Sequence, residues 1–276
     1  AGRLPPVRGF GTEANPILPA ALNHERYPLY DPARAAALLG SCCEEISRHG
    51  YSHLPGFLKP EVVAPLIKEA QELESAGRCF RSFEAHNVYL EDGCDGVQGS
   101  VRSKEFGSSK VLIAMDVMPQ DSMLLEVYRW EPLRSFLQGV FSLPKLFHSA
   151  DPLGGAYYNI FSADHEDTLG WHFDRSNFSM NLILQTSPSG GDFQYVPDSR
   201  EAICDMQRWD QVEQYIDGRI ETPELQPGSL YLFAGNRSLH QVSPVMDGKR
   251  VNAIFTYVEE EGAVLNEYTR RKFFGR

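Results

Sequence analysis

Positive charge is scarce in this 276-residue chain: Lys and Arg number 26 against 37 Asp and Glu, for a formal net charge of −11. Phosphate backbones and anionic lipid headgroups meet net repulsion from such a protein, so neither nucleic acid nor a membrane surface is an expected partner. Long apolar runs are also missing. No stretch approaches the roughly 18 to 20 uncharged apolar residues of a spanning helix, and Ala1 to Phe10 lacks the basic-then-apolar order of a secretory leader. The expectation is a soluble, cytoplasmic protein. Only five cysteines occur, Cys42, Cys43, Cys79, Cys94 and Cys204, and none stands in a C-x-x-C spacing. That excludes a zinc knuckle or dithiol motif and leaves them as free thiols. Adjacent Cys42 and Cys43 fall in a helical pattern and point to different sides of it. There is no G-x-G-x-x-G after a strand and no P-loop sequence, which removes the main support for nucleotide-binding folds.

No repeat, low-complexity run or charge block marks a linker, so residues 1–276 are expected to form one domain with two unlike halves. Residues 1 to about 30 carry Pro5, Pro6, Pro16, Pro19 and Pro28 without periodicity, which predicts an irregular arm. A helical part spans about 30–150. From Pro32 to Gly50, Ala35, Leu39, Cys42 and Ile46 recur three and four apart, and Gly50 is a stop signal. Tyr51 to Gly56 reads as a short strand. A second helix follows on Val63, Leu66, Ile67, Ala70 and Leu73, with Pro65 expected to delay or kink it. A third pattern, from Met123 to Val140, is divided by Pro132.

From about 154 to 260 the chain turns to short runs rich in β-branched and aromatic residues. The predicted strands are Ala156 to Phe161, Gly170 to Asp174, Phe178 to Thr186, Asp192 to Val196, Ser229 to Ala234, His240 to Val245 and Arg250 to Val258, with a helical insertion from Asp205 to Asp217. Helices followed by many short strands predict an α+β fold built on a jelly-roll barrel, with N-terminal helices packed on it.

Chemistry concentrates in Trp171-His172-Phe173-Asp174. Residues i and i+2 of a strand share a face, so His172 and Asp174 can bind one ion while Phe173 packs the other way. A third donor, His240, comes after Pro227-Gly228 and the apolar run Leu230 to Ala234. Two His and one carboxylate on one side of an ion leave three positions open, the facial arrangement of non-haem Fe(II) oxygenases, with room for an oxo-acid chelate and O2. An H-x-D tripeptide alone is weak; its order with Gly190-Gly191-Asp192-Phe193, Pro227-Gly228-Ser229-Leu230-Tyr231-Leu232-Phe233, His240 and Arg250 is specific.

In that order, Tyr157 to Tyr257 resembles the cupin-like double-stranded β-helix core of the Fe(II)- and 2-oxoglutarate-dependent oxygenases, and Gly50-Tyr51 through Pro55-Gly56-Phe57-Leu58 resembles the opening of their small-molecule members. The resemblance implies iron on His172, Asp174 and His240, 2-oxoglutarate on Arg250, O2 as oxidant, and a small-molecule substrate such as a free amino acid or natural-product intermediate. It also implies hydroxylation, desaturation or cyclisation, since members that halogenate carry a small residue such as Gly where Asp174 stands. Asn252 occupies the place, two residues after the Arg, where relatives often have Ser or Thr, and it can still donate to a carboxylate. Arg suits position 250 because a planar guanidinium grips a carboxylate through two parallel bonds. For Arg250 to share the His240 face, Asp247-Gly248-Lys249 must form a three-residue loop with Gly248 left-handed, pairing Arg250 with Met246, or an equivalent bulge.

Tyr158 and Asn159, on the strand before His172, are further candidates for the cosubstrate, and Thr256 shares the parity of Arg250 and Asn252. Arg81, His86, Asn87, Tyr89 and Arg102 are candidates for a lid. The competing readings are a zinc hydrolase or cupin-type enzyme without 2-oxoglutarate, against which no H-E-x-x-H stands, and a non-catalytic jelly-roll binding module.

Overall fold

The first helix starts and stops where Pro32 and Gly50 place it. In the computed structural model, which describes residues 18–91 and 95–276, α1 (Pro32–His49) is capped by the Asp31 carboxylate, which accepts from the amides of Ala33 and Arg34. It ends at Gly50, held in the left-handed region at φ 77°. Pro5, Pro6, Pro16 and Cys94 lie outside the described residues; Cys42, Cys43, Cys79 and Cys204 are free. Helix α2 (Pro60–Ser75) continues through Pro65 instead of starting after it, and buries Leu66, Ala70 and Leu73. The third pattern splits at Trp130 into α3 (Met123–Arg129) and α4 (Glu131–Val140), as Pro132 requires.

Ten strands form the main sheet: β1 (Tyr51–Leu54), β2 (Phe80–His86), β3 (Phe106–Ile113), β4 (Ala156–Ser162), β5 (Leu169–His172), β6 (Ser179–Gln185), β7 (Phe193–Val196), β8 (Leu230–Phe233), β9 (Leu239–Val242) and β10 (Lys249–Phe255). Their order is β1-β8-β6-β10-β4-β3-β5-β9-β7, with β2 also on β3. A single residue pair, Ser108 with Leu169, joins β3 to β5. On one side of that seam lies a broad half, and on the other the three short strands β5, β9 and β7. This is the jelly-roll arrangement, curled so that alternate residues of both halves line one cavity.

Strand parity sorts the side chains. Val111 and Ile113 of β3, Tyr158 and Ile160 of β4, Leu182 and Leu184 of β6, and Val251 and Ala253 of β10 pack outward into the core shared with α1 to α4. Behind the short half, Trp171, Val196 and Leu239 pack on Ile203 of α5 (Arg200–Cys204) and on Trp209, Val212 and Ile216 of α6 (Trp209–Ile216). The helix expected at Asp205 to Asp217 is α6, and α5 precedes it without having been expected. No helix among the described residues is long and apolar enough to cross a membrane.

Two expectations are corrected. Of the residues read as a lid, Arg81 and His86 lie on β2, which pairs with β3 from Phe80 opposite Leu112 to His86 opposite Phe106, while Asn87, Tyr89 and Arg102 lie in the connection between the two strands. The segment before Arg250 is not a hairpin: Val245–Asp247 pairs with Ser189–Gly190, and Arg250 lies opposite Phe161 of β4, with Met246 turned to solvent. Because β9 and β10 belong to different halves of the sheet, residues 243–248 make a crossover. Gly248 is left-handed as required, at φ 66°.

Candidate metal and cosubstrate site

His172 ends β5 and His240 lies opposite it on β9, so the two imidazoles project side by side, 4.1 Å between ring centroids. Each ring is fixed by its own strand. His172 Nδ1 bonds the Gly170 carbonyl at 2.8 Å and His240 Nδ1 the Ser238 carbonyl at 2.9 Å. A carbonyl acceptor makes Nδ1 the donor in each ring and leaves Nε2 as the free lone pair, the outer-shell arrangement that orients metal-binding imidazoles. Asp174 follows the strand instead of sitting within it, and its Oδ1 lies 3.6 Å from His172 Nε2 and 3.5 Å from His240 Nε2. One donor atom from each residue falls within 4.8 Å of the others.

The loop after β8 fixes the carboxylate. The Asp174 amide bonds the Gly235 carbonyl at 3.1 Å, and Asn236 Nδ2 bonds the Asp174 carbonyl at 3.2 Å. A Cβ at position 235 would overlap the Asp174 side chain, so only glycine allows this approach. Burial pushes the Asp174 pKa up, but the electrostatic pull of the adjacent His240 and His172 outweighs it and holds the carboxyl far below the usual range. Burial and the neighbouring His240 lower the His172 pKa, keeping that ring neutral. Neutral nitrogen donors and one anionic oxygen suit a borderline divalent ion such as Fe(II).

The donors open onto a cavity of about 760 Å³. Arg250 reaches it from β10 and is 1% exposed. Its Nη1 bonds the Gly191 carbonyl at 2.6 Å, its guanidinium lies 5.8 Å from the Phe161 ring centroid, and its Nε has no partner. Burial lowers its pKa to about 10, with Asp192 opposing, so it stays cationic at neutral pH. A buried guanidinium with an orphan N–H and no carboxylate bound to it fits the distal carboxylate of an oxo-diacid.

Asn159 lines the same cavity from β4, and its Oδ1 has no partner. Tyr158, the next residue, cannot share that face: it points into the helical core and donates to Glu69 at 2.7 Å. As a cosubstrate contact it is corrected. Asn252 is directly opposite Asn159 and shares the inner face, but it does not line the cavity; it donates to Asn181 at 2.9 Å, and Asn181 does. Thr256 lines the cavity as its parity requires. None of the lid candidates does. Arg81 pairs with Asp167, Arg102 with Glu91, and His86 stands behind His172, 5.7 Å between ring centroids. The outer wall comes instead from the chain's end, through Glu259, Leu265 and Phe273, beside Arg175 and Asn177. That segment has no periodic pattern to mark it. Lys110 and Gly235 were also passed over, although a lysine beside the apolar run Val111-Leu112-Ile113 is a legible signal.

A family profile described as Halogenase D matches residues 35–270. The chain belongs to that family. No curated protein sequence matches it. Similar solved structures include the nogalamycin-biosynthesis epimerase SnoN, a non-haem α-ketoglutarate-dependent enzyme, at 16% identity and TM-score 0.55 over 81% of this chain and 83% of that one. A prolyl-4-hydroxylase from Pseudomonas putida aligns at 18% and 0.50 over 79% and 97%. HygX from Streptomyces hygroscopicus, solved with nickel and 2-oxoglutarate, aligns at 12% and 0.52 over 79% and 85%. At identities this low the likeness shows a shared fold alone, the one these solved enzymes carry.

Proposed function

We propose that the protein is an Fe(II)- and 2-oxoglutarate-dependent oxygenase that oxidises a small molecule, by hydroxylation or by desaturation or ring closure. The observation that carries this reading is the convergence of His172, Asp174 and His240 on one point of a cavity that also receives the buried guanidinium of Arg250, whose Nε has no partner. When bound, the metal and cosubstrate supply O2 activation coupled to decarboxylation of 2-oxoglutarate to succinate and CO2. The protein's own residues supply position. His172 and His240 present Nε2 lone pairs because their Nδ1 atoms are engaged by backbone, and Arg250 fixes the far carboxylate and so the angle of the chelating end. Asn159, Asn181 and Thr256 give the cavity floor its hydrogen-bonding capacity. A zinc hydrolase or a plain binding module gives Arg250 no role.

The family's description raises halogenation as a second reading. Asp174 weighs against it. A halide would need the coordination position that this carboxylate takes, and a tethered ligand competes at high effective concentration. The Gly235 loop, shaped around the Asp174 side chain, favours retention of the carboxylate. The test is to incubate the iron-loaded protein with 2-oxoglutarate and a panel of free amino acids and their derivatives, following succinate, and to repeat productive reactions in excess chloride or bromide with mass spectrometry. Succinate release with oxygenated or dehydrogenated products is expected; a halogenated product from the protein retaining Asp174 contradicts the proposal.

A further inference from the structure

Lys110 is a lysine in an unusual place. β3 alternates, sending Val111 and Ile113 outward to the helices and Lys110 and Leu112 inward. Lys110 is 3% exposed and lines the cavity with His172 and Asp174. Among the described residues its ammonium has no hydrogen bond and no ion pair, and faces only the Phe273 ring, 4.8 Å from the centroid. The two nearby carboxylates are committed elsewhere. Asp167 is held by Arg81 through bonds of 2.9 and 2.5 Å and accepts from the Ser162 amide, while Asp174 faces the two imidazoles. Lys249, by contrast, meets Glu74 at 3.0 Å.

Burying an ammonium without an anion costs free energy, so a fold that keeps one at a cavity wall has a use for it there. Resting on the oxygenase reading, the cosubstrate accounts for two anchoring points: its chelating end goes to the metal and its far carboxylate to Arg250. Lys110 serves neither end. Val111 opposite Ile160, and Arg250 opposite Phe161, set Lys110 and Arg250 on the two strands flanking β4. From there they diverge. Arg250 bends over Phe161 to the Gly191 carbonyl, and Lys110 turns to Phe273 of the outer wall. Its strand and that aromatic wall fix the ammonium within the cavity that the metal donors share.

We propose that Lys110 is the anchor for a free carboxylate of the substrate, and hence that the substrate is a small carboxylic acid held by one charge-assisted contact beside the metal. The methylene stem packs on β3 and the ammonium donates to the incoming carboxylate, replacing the weaker ring contact. Burial lowers the Lys110 pKa to about 8, with Asp174 and Asp167 opposing, so the ammonium persists at neutral pH.

The test uses the full chain loaded with Ni(II) and 2-oxoglutarate, which holds the site without turnover, and calorimetric titration with free amino acids, each also as its primary amide. Acids are expected to bind and their amides to bind about tenfold more weakly or worse. Lys110→Met is expected to erase that difference with 2-oxoglutarate affinity unchanged, and Lys110→Arg to keep part of it. The unloaded Lys110→Met protein should melt no lower than wild type, because an unpaired buried charge has been removed; a lysine with a purely structural role would give the reverse. Loss of 2-oxoglutarate affinity in Lys110→Met, equal binding of acids and amides, or a loaded protein that binds no acid overturns the assignment. If the wild-type chain loads neither metal nor 2-oxoglutarate, the oxygenase reading falls and this inference with it.

Discussion

The short half of the sheet and the broad half face each other across the cavity, and they treat polar groups in opposite ways. On the short half, His172 and His240 are each tied to a carbonyl two residues earlier, and Asp174 is tied by its backbone to the Gly235 loop. The imidazoles are thus oriented by carbonyls of their own strands, and Asp174 by a loop distant in sequence that brings up Gly235 and Asn236. On the broad half, Arg250 Nε, Asn159 Oδ1 and Asn252 Oδ1 are buried without partners, and Lys110 has no anion. Unmet hydrogen-bonding capacity is expensive in a protein interior, and at Arg250 and Asn159 it faces the cavity, where organic ligands would supply the missing partners. On the proposed reading, the difference separates a wall preorganised for an ion from one that carboxylates complete.

Breaking the metal wall has the largest expected effect. His240→Ala removes one of three donors, and succinate release should vanish with metal content reduced; unchanged turnover would show that the donors lie elsewhere. Breaking the broad wall should be graded. Arg250→Ala removes a charge-assisted contact of about 1.5 to 3 kcal/mol, raising the 2-oxoglutarate requirement roughly tenfold to a hundredfold with metal content kept. Wild-type cosubstrate dependence in that variant would move the carboxylate site. The smallest effect tests the line between inner and outer faces. Tyr158→Phe loses the hydrogen bond to Glu69, and the cost should be about 1 kcal/mol of stability with no change in 2-oxoglutarate affinity. A shift in that affinity would put Tyr158 back in the cavity.

The same contrast decides what could be read from the amino-acid order. The donors of the short half are legible because their geometry is local: His172 and Asp174 are two residues apart, and strand parity brings them near one another even though Asp174 lies past the strand's end. Arg250 was legible by residue type and parity, but the pairing that aims it was not. A hairpin is the shortest way to join consecutive strands, whereas here the chain crosses between halves, so its neighbour is Phe161, some 90 positions upstream in the sequence. Tyr158 and Asn159 looked equivalent until β4 had a known inner face. Lys110 lay in a stretch read as helical, because Phe106 to Ile113 gains its strand character from pairing with β2 and β4 as much as from its own residues. The outer wall around Phe273 follows no period at all, and its place is set only by tertiary packing.

Anaerobic titration of the metal-free protein with Fe(II) and then 2-oxoglutarate tests the central claim most directly, since it needs no knowledge of the substrate. The account expects a weak visible charge-transfer band that appears only when both are present, saturates at one equivalent of each, is lost in His240→Ala, and needs more 2-oxoglutarate in Arg250→Ala. A wild-type protein that binds the metal but develops no band at saturating 2-oxoglutarate would contradict it.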